Sequence, residues 1–262
     1  MAGGQEGAEI RDAVRRRYAT LARTMGRDGG LAAGGGCCTS APDGIEPLVV
    51  YSPEDLRQAA LVEGTSLGCG HPVAKAELRS GEVVLDLGCG AGLDVLLAAR
   101  RVGAEGTVYG LDMTDEMLAL AQRNRQRAGL RNAHFLRGHI EAIPLPDQAV
   151  DVVISNCVLN LSTDKVTALR EAYRVMRPGG RFCVADMVEV EPLGDALRPS
   201  LEAWAGCIAG AMPLDRYREL LEGAGFCDIA FEELHTYRGS DIGAGDQPGA
   251  VASMLVWARR PA

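Results

Sequence analysis

Val83-Val84-Leu85-Asp86-Leu87-Gly88-Cys89-Gly90-Ala91-Gly92 decides the fold. A short apolar run bounded by turn residues reads as a strand buried on both faces. Three glycines follow at alternate positions, and from Leu93 to Arg101 the spacing becomes helical. A strand that turns through glycines into a helix is the opening of a doubly wound α/β unit. Its ligand lies beyond the carboxyl end of the strand, against free backbone N–H groups. The order is G-x-G-x-G. Leu93 stands where the dinucleotide pattern G-x-G-x-x-G needs its last glycine, which weighs against a pyrophosphate cradle and an NAD-dependent oxidoreductase.

Strand-like and helical runs alternate onward from residue 81. Strands are expected over 107–111, 133–136, 150–155, 181–186, 227–232 and 252–258. Helices are expected over 115–129, 165–176 (ended by Pro178-Gly179-Gly180) and 214–224. This alternation predicts an α/β fold: a doubly wound, mostly parallel, seven-stranded, Rossmann-like sheet. Residues 187–213, after the fifth strand, read as a lid insertion within the 81–262 domain. Residues 1–80 read as N-terminal helices and cysteine-bearing loops packed on that domain. Ile10, Val14, Tyr18 and Leu21 recur at helical spacing. A glycine-rich loop over 29–36 leads to Cys37-Cys38. Ser52-Pro53-Glu54-Asp55 starts a helix to about residue 62, and a short helix begins near Pro72.

Composition bounds the function. The chain has 262 residues, 47% hydrophobic and 24% charged, with a net charge of -8, and this acidic balance argues against a nucleic-acid partner. Arg15, Arg16 and Arg17 read as a solvated helix face rather than a nucleic-acid arm. No apolar run reaches the roughly 18 residues of a membrane span, and the N-terminus lacks a signal's apolar region. We expect a cytoplasmic monomer without a membrane partner. Eight cysteines are too few for a secreted disulfide scaffold, yet many for a chain poor in aromatics.

Asp86 lies two positions before the first glycine, and Asp112 ends the next strand, where a carboxylate can accept both hydroxyls of a ribose. With the strand and glycine loop, this combination resembles the class I S-adenosylmethionine methyltransferases over 81–258. The resemblance implies S-adenosyl-L-methionine as cofactor, with Asp86 near its amino group, Gly88 and Gly90 against its backbone and Asp112 at the ribose. Met113 and Ile140 would lie on the adenine and Glu141 near its amino group, and Asn156 is placed with the cofactor contacts. Met113 and Ile140 suit plain core packing equally well. The four histidines form no metal-binding spacing.

Three cysteines sit where a substrate should meet this cofactor. Cys157 follows the fourth strand, Cys207 lies in the lid insertion, and Cys69 is in the loop before the core. Three thiolates favour a soft trivalent centre. Taken singly, Cys157 and Cys207 also read as small buried hydrophobes, the reading preferred for Cys89, Cys183 and Cys227. The wording around them is more specific. Ser66-Leu67-Gly68-Cys69-Gly70, Ser155-Asn156-Cys157-Val158-Leu159-Asn160-Leu161, the stretch from Trp204 to Ala211, and Gly110-Leu111-Asp112-Met113-Thr114-Asp115-Glu116-Met117 together resemble the arsenite methyltransferase family. The resemblance implies As(III) on Cys69, Cys157 and Cys207, with arsenite or its thiol conjugates as substrate. It also implies a redox role for Cys37 or Cys38, which pairs with Cys69 in a disulfide that glutathione or thioredoxin reduces. Two departures stand out. Cys89 replaces the small residue usual in the glycine loop, and the further C-terminal domain of many members is expected to be missing or only a remnant here, which bears on the final product. The alternatives are a methyltransferase acting on oxygen, nitrogen or carbon with structural cysteines, and a thiol-rich metalloid or zinc binder. The latter lacks the C-x2-4-C pairs usual for zinc.

Overall fold

In the computed structural model, β1 (Val83–Leu87) is the expected buried strand. It pairs in parallel with β2 (Thr107–Asp112) on one side and β4 (Val150–Asn156) on the other. β3 (Ala133–Arg137) continues the sheet beyond β2, and β5 (Met176–Glu191) beyond β4. The last two long strands, β7 (Cys227–Arg238) and β8 (Ala250–Arg259), complete the order β3-β2-β1-β4-β5-β8-β7, with β8 antiparallel to both neighbours. A two-residue strand, β6 (Met212–Pro213), pairs with β5 and makes the expected seven strands eight. The described residues are 2–28, 51–58, 68–194, 204, 207–242 and 249–262. Cys37 and Cys38, the 29–36 loop, residues 59–67 and, in the lid insertion, residues 195–203, 205 and 206 lie outside them.

Alternation along the strands splits the core into two layers. Leu85, Leu87, Val153 and Phe182 face α6 (Lys165–Val175) and α7 (Leu214–Ala224). Val84, Val108, Val152 and Ile154 face α4 (Leu93–Val102). α5 (Asp115–Ala128) starts just past β2 and leads to β3. The N-terminal helices are α1 (Ala2–Asp28), α2 (Pro53–Gln58) and α3 (Pro72–Lys75). Ile10 and Val14 of α1 pack against Met113, Leu161 and Trp204, so this helix lies over the carboxyl ends of the strands.

Two expected boundaries were wrong. Pro178-Gly179-Gly180 does not separate helix from strand, because β5 already pairs at Met176. The ladder jumps from Val150↔Met176 to Val152↔Arg181, and the bulged turn is held by Gly179 N–H donating to Arg260 O (3.0 Å) and Arg260 N–H donating to Gly180 O (3.0 Å). Further on, residues 187–191, assigned to the lid, continue β5. Their antiparallel partner β8 carries them, and even Glu189 is buried.

The side chain of Asp164 caps α6 by accepting from Thr167 N–H at 3.0 Å. Asp164→Ala is expected to lower the unfolding free energy by about 1 kcal/mol, read as a lower urea midpoint at unchanged slope.

Candidate active site

The carboxyl ends of β1, β2 and β4 open into a pocket of about 1090 Å³ including its mouth, a size suited to a nucleoside-bearing ligand. All eight residues expected at the cofactor line it: Asp86, Gly88, Gly90, Asp112, Met113, Ile140, Glu141 and Asn156. Gly88 has φ +71°, and a Cβ there would lie 2.3 Å from a Val158 methyl. Gly90 has φ +49°, and its Cβ position meets only open space. The loop thus turns tightly and leaves its backbone open to a ligand. Gly88 N–H and Cys89 N–H donate to Leu111 O, at 2.8 and 2.9 Å, which ties the turn to β2.

The pocket is acidic. Asp112 accepts from Gly90 N–H at 3.0 Å and from Thr114 N–H at 2.8 Å. Burial raises its pKa, against these hydrogen bonds. Burial also pushes Asp86 well up, helped by the nearby Asp94 and Asp112 carboxylates. Asp94 is raised by burial and held back by the Tyr51 hydroxyl and the Asn156 amide. Arg11 of α1 is the one Lys or Arg among the described lining residues. Such a carboxylate set fits a ligand carrying an ammonium and a sulfonium, and Asp112 fits ribose hydroxyls. Met113 faces both the pocket and the α1 cluster, and Ile140 both the pocket and the core. The Ser162 hydroxyl donates to Glu141.

The cysteines converge as well. Cys69, Cys157 and Cys207 share one buried apolar chamber with Ala185, Met187 and Leu255. Cys157 also lines the large pocket, so the cysteine cluster borders it. Cys69 and Cys157 form a disulfide with Cα atoms 6.0 Å apart, and the Cys207 thiol donates to Cys157 O at 3.0 Å. In this structure Cys69 pairs with Cys157, because its loop is bound to the end of β4 beside Cys157; the pairing of Cys69 with Cys37 or Cys38 that the resemblance implied falls on residues outside those described. Both Cys157 (φ +59°) and Cys207 (φ +65°) are left-handed, a conformation non-glycine residues rarely adopt and which collects at functional sites. Cys89 borders the pocket, where burial raises its thiol pKa, and Cys183 is buried in the core.

The sequence reading missed three contributors. Arg11, Val14 and Tyr18 bring α1 to the pocket wall. Tyr51 and Asp94 are joined there by a phenol that donates to the carboxylate at 2.8 Å. Lys165 is half-buried beside Trp204, with its Nζ 4.9 Å from the Trp204 ring and donating to Ser162 O at 2.9 Å. Burial lowers its pKa to about 8. A signal for Asp94 existed, as an acid alone in the apolar stretch 93–99.

A carboxyl with a raised pKa keeps its proton to higher pH, and a cation favours the ionised form. Affinity for S-adenosylmethionine should therefore fall as pH drops through this titration, with protons released on binding. Calorimetry in buffers of different ionisation enthalpy reads both. Asp86→Asn is expected to weaken binding at least about ten-fold and to flatten its pH dependence.

A family profile described as a methyltransferase domain matches residues 78–225. The arsenite methyltransferase of Halobacterium salinarum is 39% identical over all of this chain and 69% of its own length. That of Aquipseudomonas alcaligenes is 38% identical over 73% of this chain and 56% of its own. The crystal structure of an arsenic(III) S-adenosylmethionine methyltransferase from Chlamydomonas reinhardtii superposes with a TM-score of 0.65 at 32% identity, covering 81% of this chain and 74% of that one. The chain spans from about half to two thirds of these two curated relatives. With the sheet order, the glycine turn, the acidic pocket and the cysteine chamber, these similarities establish that the chain is an S-adenosylmethionine-dependent methyltransferase belonging to the arsenite methyltransferase family.

Proposed function

We propose that this enzyme methylates trivalent arsenic held by Cys69, Cys157 and Cys207, and so serves arsenic detoxification. The observation that carries the reading is the chamber: three cysteines distant in sequence are buried together, and Cys157 borders both the chamber and the cofactor pocket. Bound S-adenosylmethionine supplies an electrophilic methyl group on a sulfonium. Asp86 takes its ammonium, Gly88 and Gly90 its backbone, Asp112 its ribose, Met113 and Ile140 the faces of its adenine, and Glu141 the adenine edge. Asn156 borders the same ligand.

The reduced cysteines displace the oxygens of arsenite, or the glutathione of its conjugate, in thiol-for-ligand exchange. Soft thiolates suit trivalent arsenic, and the apolar walls keep water from competing. Thiolate-bound arsenic keeps a lone pair and carries no proton, so its methylation needs no general base. Rate then comes from holding the arsenic at Cys157, on the rim of the cofactor pocket, in near-attack geometry. Arsenic that accepts the methyl group rises formally to the pentavalent state. Two electrons from a pair of cysteine thiols, which close as a disulfide, return it to the trivalent state. Glutathione or thioredoxin then reduces that disulfide. The closeness of Cys69 to Cys157 supports cysteines of this chain as the electron source, and Cys37 or Cys38 is a further member of the relay. We place this chemistry in the cytoplasm, on a monomer.

Incubating the reduced protein with arsenite, S-adenosylmethionine and glutathione, and separating the arsenicals, tests the reading. Cys157→Ser and Cys207→Ser are expected to lose methylation of every arsenical by at least about a hundred-fold. Cys69→Ser is expected to lose arsenite but to keep monomethylarsonous acid, which needs two thiolates. Full activity in Cys157→Ser would move the assignment to an organic oxygen, nitrogen or carbon acceptor.

A further inference from the structure

One polar network ties the cofactor pocket to the loop that carries Cys69. Its centre is the Asn156 side chain, next to Cys157. The Asn156 Oδ1 accepts from Cys69 N–H at 2.9 Å and Gly70 N–H at 3.2 Å, and its Nδ2 donates to Gly70 O at 2.7 Å. The loop is pressed so close that a Cβ on Gly68 would lie 2.2 Å from this amide. The same Nδ2 contacts Tyr51 Oη at 2.8 Å and Asp94 Oδ2 at 3.3 Å. Tyr51 in turn donates to Asp94, and its ring lies 4.5 Å from that of His71, the residue after Gly70.

A primary amide can rotate, and a flipped Asn156 would turn N–H groups toward the N–H groups of Cys69 and Gly70. Tyr51 Oη and Asp94 Oδ2 prevent this by accepting from the far side, which leaves one orientation that satisfies every partner. Tyr51 comes from the segment before the core, and Asp94 from the first turn of α4, directly after the glycine loop.

We propose that Tyr51 and Asp94 are positioning residues that lock the Asn156 amide and thereby set the Cys69–Cys157 spacing, deciding whether the chamber offers arsenic three thiolates or two. This deepens the arsenic reading of the same site. The lock matters only where Cys69 is used: in capturing arsenite, and in closing a bond to Cys157. Capture of arsenic that already carries a methyl group, on Cys157 and Cys207, does not use Cys69.

Two readouts test the proposal, and the first needs no arsenic. The full chain is equilibrated with mixtures of reduced and oxidised glutathione, and the Cys69–Cys157 disulfide is quantified by differential alkylation and peptide mapping. Tyr51→Phe and Asp94→Ala each break the lock, and each is expected to lower the equilibrium constant for closing this disulfide about ten-fold. Asp94→Asn keeps an oxygen for the phenol and is expected to restore most of it. In binding of arsenicals to the reduced protein, without cofactor, Tyr51→Phe should lower the affinity for arsenite relative to that for monomethylarsonous acid about ten-fold. An unchanged disulfide constant in both Tyr51→Phe and Asp94→Ala would overturn the proposal. So would an equal fall in Asp94→Asn and Asp94→Ala, since charge and not the hydrogen bond would then be the cause. Absence of arsenic methylation by the native protein would overturn the arsenic reading and leave the disulfide measurement to decide the lock.

Discussion

Asp86 and Asp94 are buried and Asp112 half-buried around one pocket, and the Asp94 and Asp112 carboxylates oppose the ionisation of Asp86. Each stays close to charge only through the donors or cation aimed at it. For Asp112 the donors are backbone N–H groups of the glycine turn and of Thr114, so the turn's backbone is fixed by electrostatics as much as by sterics. For Asp94 they are Tyr51 and Asn156, which draw the segment before the core and the end of β4 to the same point. For Asp86, burial and the two neighbouring carboxylates both disfavour charge, which a cationic ligand would offset. The shape of the pocket, and the reach of the Cys69 loop across it, follow from where these donors must stand.

The frame of the fold was legible because strand and helix have distinct periods. Val83–Leu87 and 214–224 appear with the expected bounds, and the glycine turn falls where the apolar run stops. What failed was local chemistry overridden by distant partners. Pro178-Gly179-Gly180 carries every sign of a break, yet the C-terminal segment pairs with it and holds it in the sheet. Residues 187–191 are rich in acids, yet a long antiparallel partner makes them strand.

The site divided in the same way. Asp86, Gly88, Gly90 and Asp112 could be found because each stands at a fixed offset from an element end. The convergence of Cys69, Cys157 and Cys207 was accessible only through strand order, which puts the end of β4, the lid and the preceding loop on one rim. The hydrogen bonds that join Tyr51, Asp94 and Asn156 have no periodic signature. Hydrogen bonds between side chains 43 and 105 positions apart leave no pattern in one sequence. The contribution of α1 was equally silent: its spacing predicts an apolar stripe but not what the stripe covers. That stripe meets Met113 below and Trp204 above, while Lys165 meets Trp204 from the other element, so lid, cofactor wall and N-terminal helix share one contact.

The disulfide has a practical side. If the atoms that capture the substrate are also the atoms that close on each other, the concentration of protein and the concentration of competent sites become separate quantities. In air the second would drain into a form that keeps its cofactor pocket but would offer arsenic a single thiol of the three. Specific activity then records the redox history of a preparation. A reductant in the assay sets how many molecules work before it sets how fast any one of them does, and a slow start would be a count of sites being reopened.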